Sequence, residues 1–256
     1  MGDAAVLSAK RFDAVLFDKD GVLTETATLH AEAWKWTFDD FLRLRAETSG
    51  EQVERFDVED DYRRYVDGKP RYDGVRSFLA SRGIELAEGD PTDPPIANTV
   101  AGLGNRKNEL VVELIETEGV RAFPGSVRLV EDVRRRGIRT AVVSSSANCR
   151  AVLRSAGIDH LFDTQVDGIV AAELGLPGKP APDTFLFAAR SLQVAPERAV
   201  VVEDALAGVE AGRAGGFGLV IGVDRLNQAQ ALRDHGADLV VADLGELVAP
   251  VTAPDP

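Results

Sequence analysis

Cysteine is almost missing from this chain. Cys149 stands alone among 256 residues, which excludes an intramolecular disulfide and any zinc site built on several thiolates. Without a disulfide framework, a reducing cytoplasm is the expected compartment. Long apolar runs are also lacking, since stretches such as Leu219-Val220-Ile221 and Leu239-Val240-Val241 are far too short to span a bilayer. Met1-Gly2-Asp3-Ala4-Ala5 shows no basic segment leading into an apolar one, so no secretory signal is read there. Positive charge is in deficit, with 29 Lys and Arg against 42 Asp and Glu, for a formal net charge of −13. That balance argues against a general binder of nucleic acid or anionic membrane, yet leaves room for local positive charge around a phosphate. Internal repeats and low-complexity segments are absent. The expectation is a soluble, cytoplasmic, monomeric protein with no nucleic-acid or membrane partner.

What is present is an alternation. Ala14-Val15-Leu16-Phe17, Ala141-Val142-Val143, Ala199-Val200-Val201-Val202, Gly218-Leu219-Val220-Ile221 and Leu239-Val240-Val241 read as buried strands. Helical patterns lie between them over 127–136, 183–192 and 205–214. Strand and helix in alternation predict an α/β fold, a doubly wound parallel sheet with helices on both faces. Residues from about 30 to 121 break the rhythm, with helical patterns and no convincing strands. Trp34, Phe38, Phe41 and Leu42 form one apolar stripe, and Val75, Phe78 and Leu79 another before Gly83, which suits a helix C-cap. Leu110, Val111, Leu114 and Ile115 mark a third, ending near Gly119. The expected organisation is a core of 1–27 and 122–256 with an inserted helical domain over 28–121. Ala249 to Pro256 reads as a frayed tail.

Unusual polar residues stand at the expected strand ends. The first strand runs into Asp18-Lys19-Asp20-Gly21, which packing does not explain, although a solvated turn would account for it. Another strand runs into Ser144-Ser145-Ser146-Ala147-Asn148, where the serines are either helix caps or donors to a phosphate. Lys179 lies in Gly178-Lys179-Pro180-Ala181-Pro182-Asp183, a loop stiffened by prolines, and the buried strand Val200-Val201-Val202 ends in Glu203-Asp204. Ligands of open α/β sheets bind outside the carboxyl ends of the strands, so these groups are expected at one edge. Clustered acids there repel one another or demand a cation, and Mg²⁺ with oxygen ligands and a substrate phosphate is the natural solution. Ser144 and Lys179 would hold phosphoryl oxygens. Asp18 could attack phosphorus without a separate base, and Asp20 could act as general acid.

These motifs in this order resemble those of the haloacid dehalogenase superfamily of phosphoryl-transfer enzymes. The helical insertion is similar to that superfamily's cap. Within it, Thr26 to Trp34, Gly68-Lys69-Pro70-Arg71, Gly104 to Asn108, Ser144 to Asn148 and Gly178 to Asp183 look like the β-phosphoglucomutase-like branch. The likeness runs from about Phe12 to Leu247. It implies two domains closing over a small phosphorylated sugar, with Mg²⁺ as cofactor. By resemblance, Asp18 forms the aspartyl-phosphate and Asp20 is the acid/base, its backbone carbonyl on the metal. Asp204 is a metal ligand and Glu203 a ligand or a supporting acid. Ser144, Ser145 and Lys179 bind the transferring phosphate, while Arg71, Ser146 and Asn148 bind a second one. His30 and Lys107 reach the sugar or assist closure. Arg106 and Lys107 read as the start of a helix, where cations oppose the macrodipole unless an anion binds. Otherwise they are long solvated side chains, and His30, sharing a face with Trp34, is a half-buried, hydrogen-bonded histidine.

The chain departs from the mutase pattern at three places. Asp67 and Ala147 stand where Lys is usual or frequent, and Glu25 where Asp is more usual. The reaction expected is interconversion of β-glucose 1-phosphate and glucose 6-phosphate, with a sugar-phosphate phosphatase as the alternative. Other classes fit less well. A receiver-like signalling domain would be about half this length, a P-loop needs Ser or Thr where Pro180 follows Lys179, and a non-catalytic binding protein leaves the acid set unexplained.

Overall fold

A computed structural model of the chain describes residues 6–50 and 54–249. The N-terminal residues 1–5 and, apart from Ala249, the expected tail lie outside the described residues. The chain divides into two compact units, Met1–Glu25 with Arg121–Pro256, and Thr26–Val120.

The first unit is built on a six-stranded sheet. Its strands are β1 (Ala14–Phe17), β2 (Arg139–Val143), β3 (Thr164–Val166), β4 (Ala199–Glu203), β5 (Leu219–Val223) and β6 (Leu239–Val241). The order is β3-β2-β1-β4-β5-β6, and every pairing is parallel. Connections run outward from β1 on one side and from β4 on the other, so the switch point lies between these two strands. Side chains alternate across the sheet. Val15 and Phe17 pack with Leu129, Val130 and Val133 of α4 (Pro124–Arg135) and with Cys149 and Leu153 of α5 (Cys149–Ser155). Ala14 and Leu16 pack on the other face with Phe185, Ala188 and Ala189 of α7 (Asp183–Ser191) and Ala211 of α8 (Leu206–Ala214). Each fully buried Val, Leu or Phe of this kind contributes about 1.5–3 kcal/mol. Burial pushes the Cys149 thiol up to about 12, so it is an inert core group. Two further short helices, α6 (Gly168–Glu173) and α9 (Ala229–Asp234), complete this unit's named helices.

The second unit is helical. It contains α1 (Ala27–Ser49), a five-residue π-helical turn (Tyr62–Val66), α2 (Arg71–Ser81) and α3 (Val100–Glu118). The stripe on α1 is buried as expected, and the unit's core is aromatic. Trp34 stacks on Phe38 with centroids 5.0 Å apart, and Phe38 meets Phe78 at 4.1 Å. Gly83 and Gly119 follow α2 and α3 with φ of +63° and +77°, the left-handed values a C-terminal glycine supplies. Thr99 caps α3, its hydroxyl accepting from the Gly102 N–H at 2.9 Å. Helix α3 therefore starts at Val100, and Arg106 and Lys107 fall in its second turn rather than at its N-terminus. The macrodipole argument for those two cations does not hold. No helix among the described residues is long and apolar enough to cross a membrane.

Candidate active site

The registers Phe17↔Val142 and Phe17↔Val202 set Asp18 level with Val143 and Glu203, with Ser144 one residue further along its strand. Asp18 follows β1, Ser144 follows β2, and Glu203 closes β4 with Asp204 after it. All four are under a tenth exposed. Lys179, also buried, crosses to them from the loop before α7. Its ammonium donates to Asp18 Oδ1 and Glu203 Oε1, each at 2.5 Å, and to the Val143 carbonyl at 3.2 Å. Glu203 Oε2 accepts from the backbone N–H groups of Asp204 and Ala205 at 3.1 and 3.2 Å.

Two glycines make this packing feasible. Gly21 has φ +76°, and a Cβ there would lie 1.8 Å from Asp204 Oδ2; a Cβ at Gly208 would lie 1.8 Å from Glu203 Oε1.

Burial first, then the neighbouring charges of Glu203 and Asp20, push the Asp18 carboxyl up to about 7 against the pull of Lys179. Lys179 itself moves upward, because the attraction of Asp18 and Glu203 outweighs its desolvation. It stays an ammonium ion. Oxygen atoms of Asp18, Glu203 and Asp204 lie within 4.8 Å of one another, and Lys179 pairs with the first two of these buried acids. Hard oxygen donors with excess negative charge suit a divalent metal ion such as Mg²⁺. Glu203 already accepts three N–H bonds, which casts it as the supporting acid of the set.

The structure separates the remaining site candidates. The Asp20 carboxylate is outside that acid group and is ion-paired with the wholly buried Lys19. Ser144 Oγ accepts from the Ser146 N–H, and Ser146 Oγ from the Asn148 N–H, both at 3.2 Å. Ser145, Ser146 and Asn148 are part-exposed in the turn that leads into α5. In the helical unit, the Arg71 guanidinium donates to Tyr72 Oη at 3.0 Å, and that hydroxyl donates to Asn105 Oδ1 at 2.9 Å. Lys107 Nζ lies 2.7 Å from His30 Nδ1 and 4.9 Å over the Trp34 ring. His30 is thus half-buried and hydrogen-bonded, with a cation as partner. Arg106 reaches Asp40 at 3.0 Å and the Pro95 carbonyl at 2.9 Å, so it is tied down as a structural link.

Two supporting residues escaped the sequence. Arg225, just past β5, donates to the Gly21 carbonyl at 2.8 Å and lies 3.8 Å over the Phe123 ring. Gln228 donates to the Asp204 carbonyl at 3.1 Å. Both come from a loop without periodicity, and only their closeness to the end of an apolar run hinted at them.

A doubly wound sheet with carboxylates and a lysine buried at its switch point is the arrangement of an α/β enzyme. The haloacid dehalogenase-like hydrolase family profile matches residues 12–216, and the chain belongs to that family. It is 54% identical over 238 residues to a beta-phosphoglucomutase of Mycobacterium bovis, covering 92% of this chain and 91% of that one. Among solved structures, a beta-phosphoglucomutase of Clostridium difficile aligns with a TM-score of 0.71 and 26% identity over 92% and 93% of the two chains. CbbY of Rhodobacter sphaeroides in complex with xylulose-(1,5)bisphosphate aligns with a TM-score of 0.65 and 28% identity over 92% and 96%.

Proposed function

We propose that this chain is a Mg²⁺-dependent phosphoryl-transfer enzyme of the β-phosphoglucomutase type, interconverting β-glucose 1-phosphate and glucose 6-phosphate through a phosphorylated Asp18. The observation that carries the chemistry is the buried set of Asp18, Glu203 and Asp204 around Lys179. The 54% identity to a beta-phosphoglucomutase over nearly all of both chains favours the sugar as acceptor.

Asp18 attacks phosphorus as the phosphorus–oxygen bond to the sugar breaks, and the departing oxygen takes a proton from Asp20. In the return half, Asp20 removes a proton from the sugar hydroxyl that receives the phosphoryl group. Bound Mg²⁺, held by Asp18, Asp204 and the Asp20 carbonyl, would supply charge neutralisation between the attacking carboxylate and the phosphate. Lys179 and Ser144, with Ser145, hold the oxygens of the transferring group. Arg71, Ser146 and Asn148 bind the distal phosphate, and His30 and Lys107 serve the sugar. In this reading residues 1–27 with 122–256 form the catalytic core, 28–121 form the cap, and the enzyme works in the cytoplasm.

The second reading is a sugar-phosphate phosphatase, in which water takes the phosphoryl group from Asp18. Its support is the missing cations at Asp67 and Ala147, together with the family's description as hydrolases. A coupled assay with β-glucose 1-phosphate, Mg²⁺ and a trace of glucose bisphosphate separates the two. Glucose 6-phosphate is expected; inorganic phosphate without it would overturn the mutase reading.

A further inference from the structure

Lys19 is the residue of the Asp18–Thr24 loop that this chemistry leaves unused. It has 0% exposure, one of the largest side chains to be fully buried, and its ammonium pairs with Asp20, whose side chain is 22% exposed. In the strand alternation Lys19 continues the side of Val15 and Phe17, which pack with α4 and α5. Its charge is felt at Cys149, the first residue of α5. Lys179 instead comes from the loop before α7, whose residues pack on the opposite face, and pairs with Asp18. Two buried lysines thus take the two aspartates separately, one from each side of the sheet. The Lys19 backbone is pinned as well: its carbonyl accepts from the Leu23 and Thr24 N–H groups at 2.9 and 3.0 Å and from Thr24 Oγ1 at 3.2 Å.

We propose that Lys19 is a positioning residue for Asp20, fixing where the proton-transferring carboxyl stands relative to the nucleophile. The inference rests on the reading of Asp20 as the acid/base. A buried ammonium costs desolvation that a surface turn would not incur, and an apolar side chain would fill the same space without that cost. The pairing fixes one oxygen of the Asp20 carboxylate. With Lys19 removed, Asp20 keeps its place in the chain but loses its ion pair with the buried ammonium. The step it serves is the transfer of its proton to the departing sugar oxygen as the phosphorus–oxygen bond breaks and the bond from Asp18 forms.

That step gives a readout a structural role would not move. An alkyl phosphate needs its leaving oxygen protonated, whereas the phenolate of p-nitrophenyl phosphate leaves without a proton. Lys19→Met should slow the single-turnover phosphorylation of Asp18 by β-glucose 1-phosphate about ten-fold or more with the half-saturating concentration within about two-fold, while the initial burst of p-nitrophenolate, which precedes any proton removal from an acceptor, slows by less than about three-fold. Lys19→Arg should recover part of the lost ratio. If Lys19→Met does not fold, Lys19→Gln is read by the same ratio. Equal losses on the two substrates, or none on the sugar phosphate, would overturn the proposal. Asp20→Asn, measured alongside, separates the two failures. If it too lowers both substrates equally, the acid/base reading falls; if it is selective and the Lys19 variants are not, only the role of Lys19 falls.

Discussion

At the amino ends of the strands Asp13 pairs with Arg198 and Asp163 with Arg134, and each of these side chains is a third or more exposed. At the carboxyl ends of the same sheet Lys179 pairs with Asp18 and Glu203 with almost no exposure, and the wholly buried Lys19 pairs with the partly exposed Asp20. A groove of about 610 Å³ opens at the amino ends, lined by Arg134, Arg139 and Asp163 among others, yet these three already have partners within the protein. Arg139 donates to the Leu192 carbonyl, and Asp163 also accepts from the Thr140 N–H at 2.8 Å. Exposed pairs are worth little and cost little. Buried ones carry a desolvation penalty that stability alone does not repay, so their concentration at one end marks where the fold keeps its chemistry. That groove is at the end away from the acids; the buried charge is the better guide.

The comparison can be broken at the carboxyl end with one methyl group. Gly21→Ala forces a left-handed φ and places a Cβ against Asp204. Turnover should fall by about 10²-fold while the protein remains folded by circular dichroism. Wild-type turnover would mean that the contact between Gly21 and Asp204 does not matter to the site.

A smaller effect is expected in the pH dependence of stability. In protein stripped of metal by chelation, folded Asp18 keeps its proton up to about 7, whereas the unfolded carboxyl releases it near 3.8. Between those values the folded state binds the extra proton, so this group's contribution to stability falls as pH rises through the window. Thermal melts should show that decline in the wild type and a flatter profile in Asp18→Asn. Added Mg²⁺ should raise the wild-type midpoint most at the upper end of the window, where the carboxylate is ionised.

Least should happen at the amino end. Arg198→Ala removes an exposed pair, and the thermal midpoint should move by less than about 2 °C with kcat unchanged. A larger loss would erase the contrast between the two ends.

Much of this contrast was legible in the sequence, for a physical reason. Strands β1, β4 and β5 are buried on both faces, so they read as unbroken runs of Val, Ala, Leu and Ile, and polar residues at their ends stand out. Asp18, Glu203 and Asp204 were found that way and Lys179 by its proline-stiffened loop, and the structure brings them together. Strand β3 was not, because Thr164-Gln165-Val166 is a three-residue edge strand with only Val166 buried. The start of α3 was misread because the helix begins at Val100 behind a Thr99 cap, well before Arg106. Arg225 and Gln228 act through backbone carbonyls, a partnership that leaves no mark on residue spacing. Lys19 was visible as an oddity, but its burial and its pairing with Asp20 belong to three dimensions alone.

In the proposed reaction the buried carboxylate of Asp18 takes the phosphoryl group. The direct test is acid-quenched mass spectrometry of the protein after brief incubation with Mg²⁺ and glucose bisphosphate. One phosphoryl group on the peptide that carries Asp18 is the result predicted. A phosphoryl group on the Ser144 peptide instead, or full activity from an Asp18→Asn protein, would contradict the account.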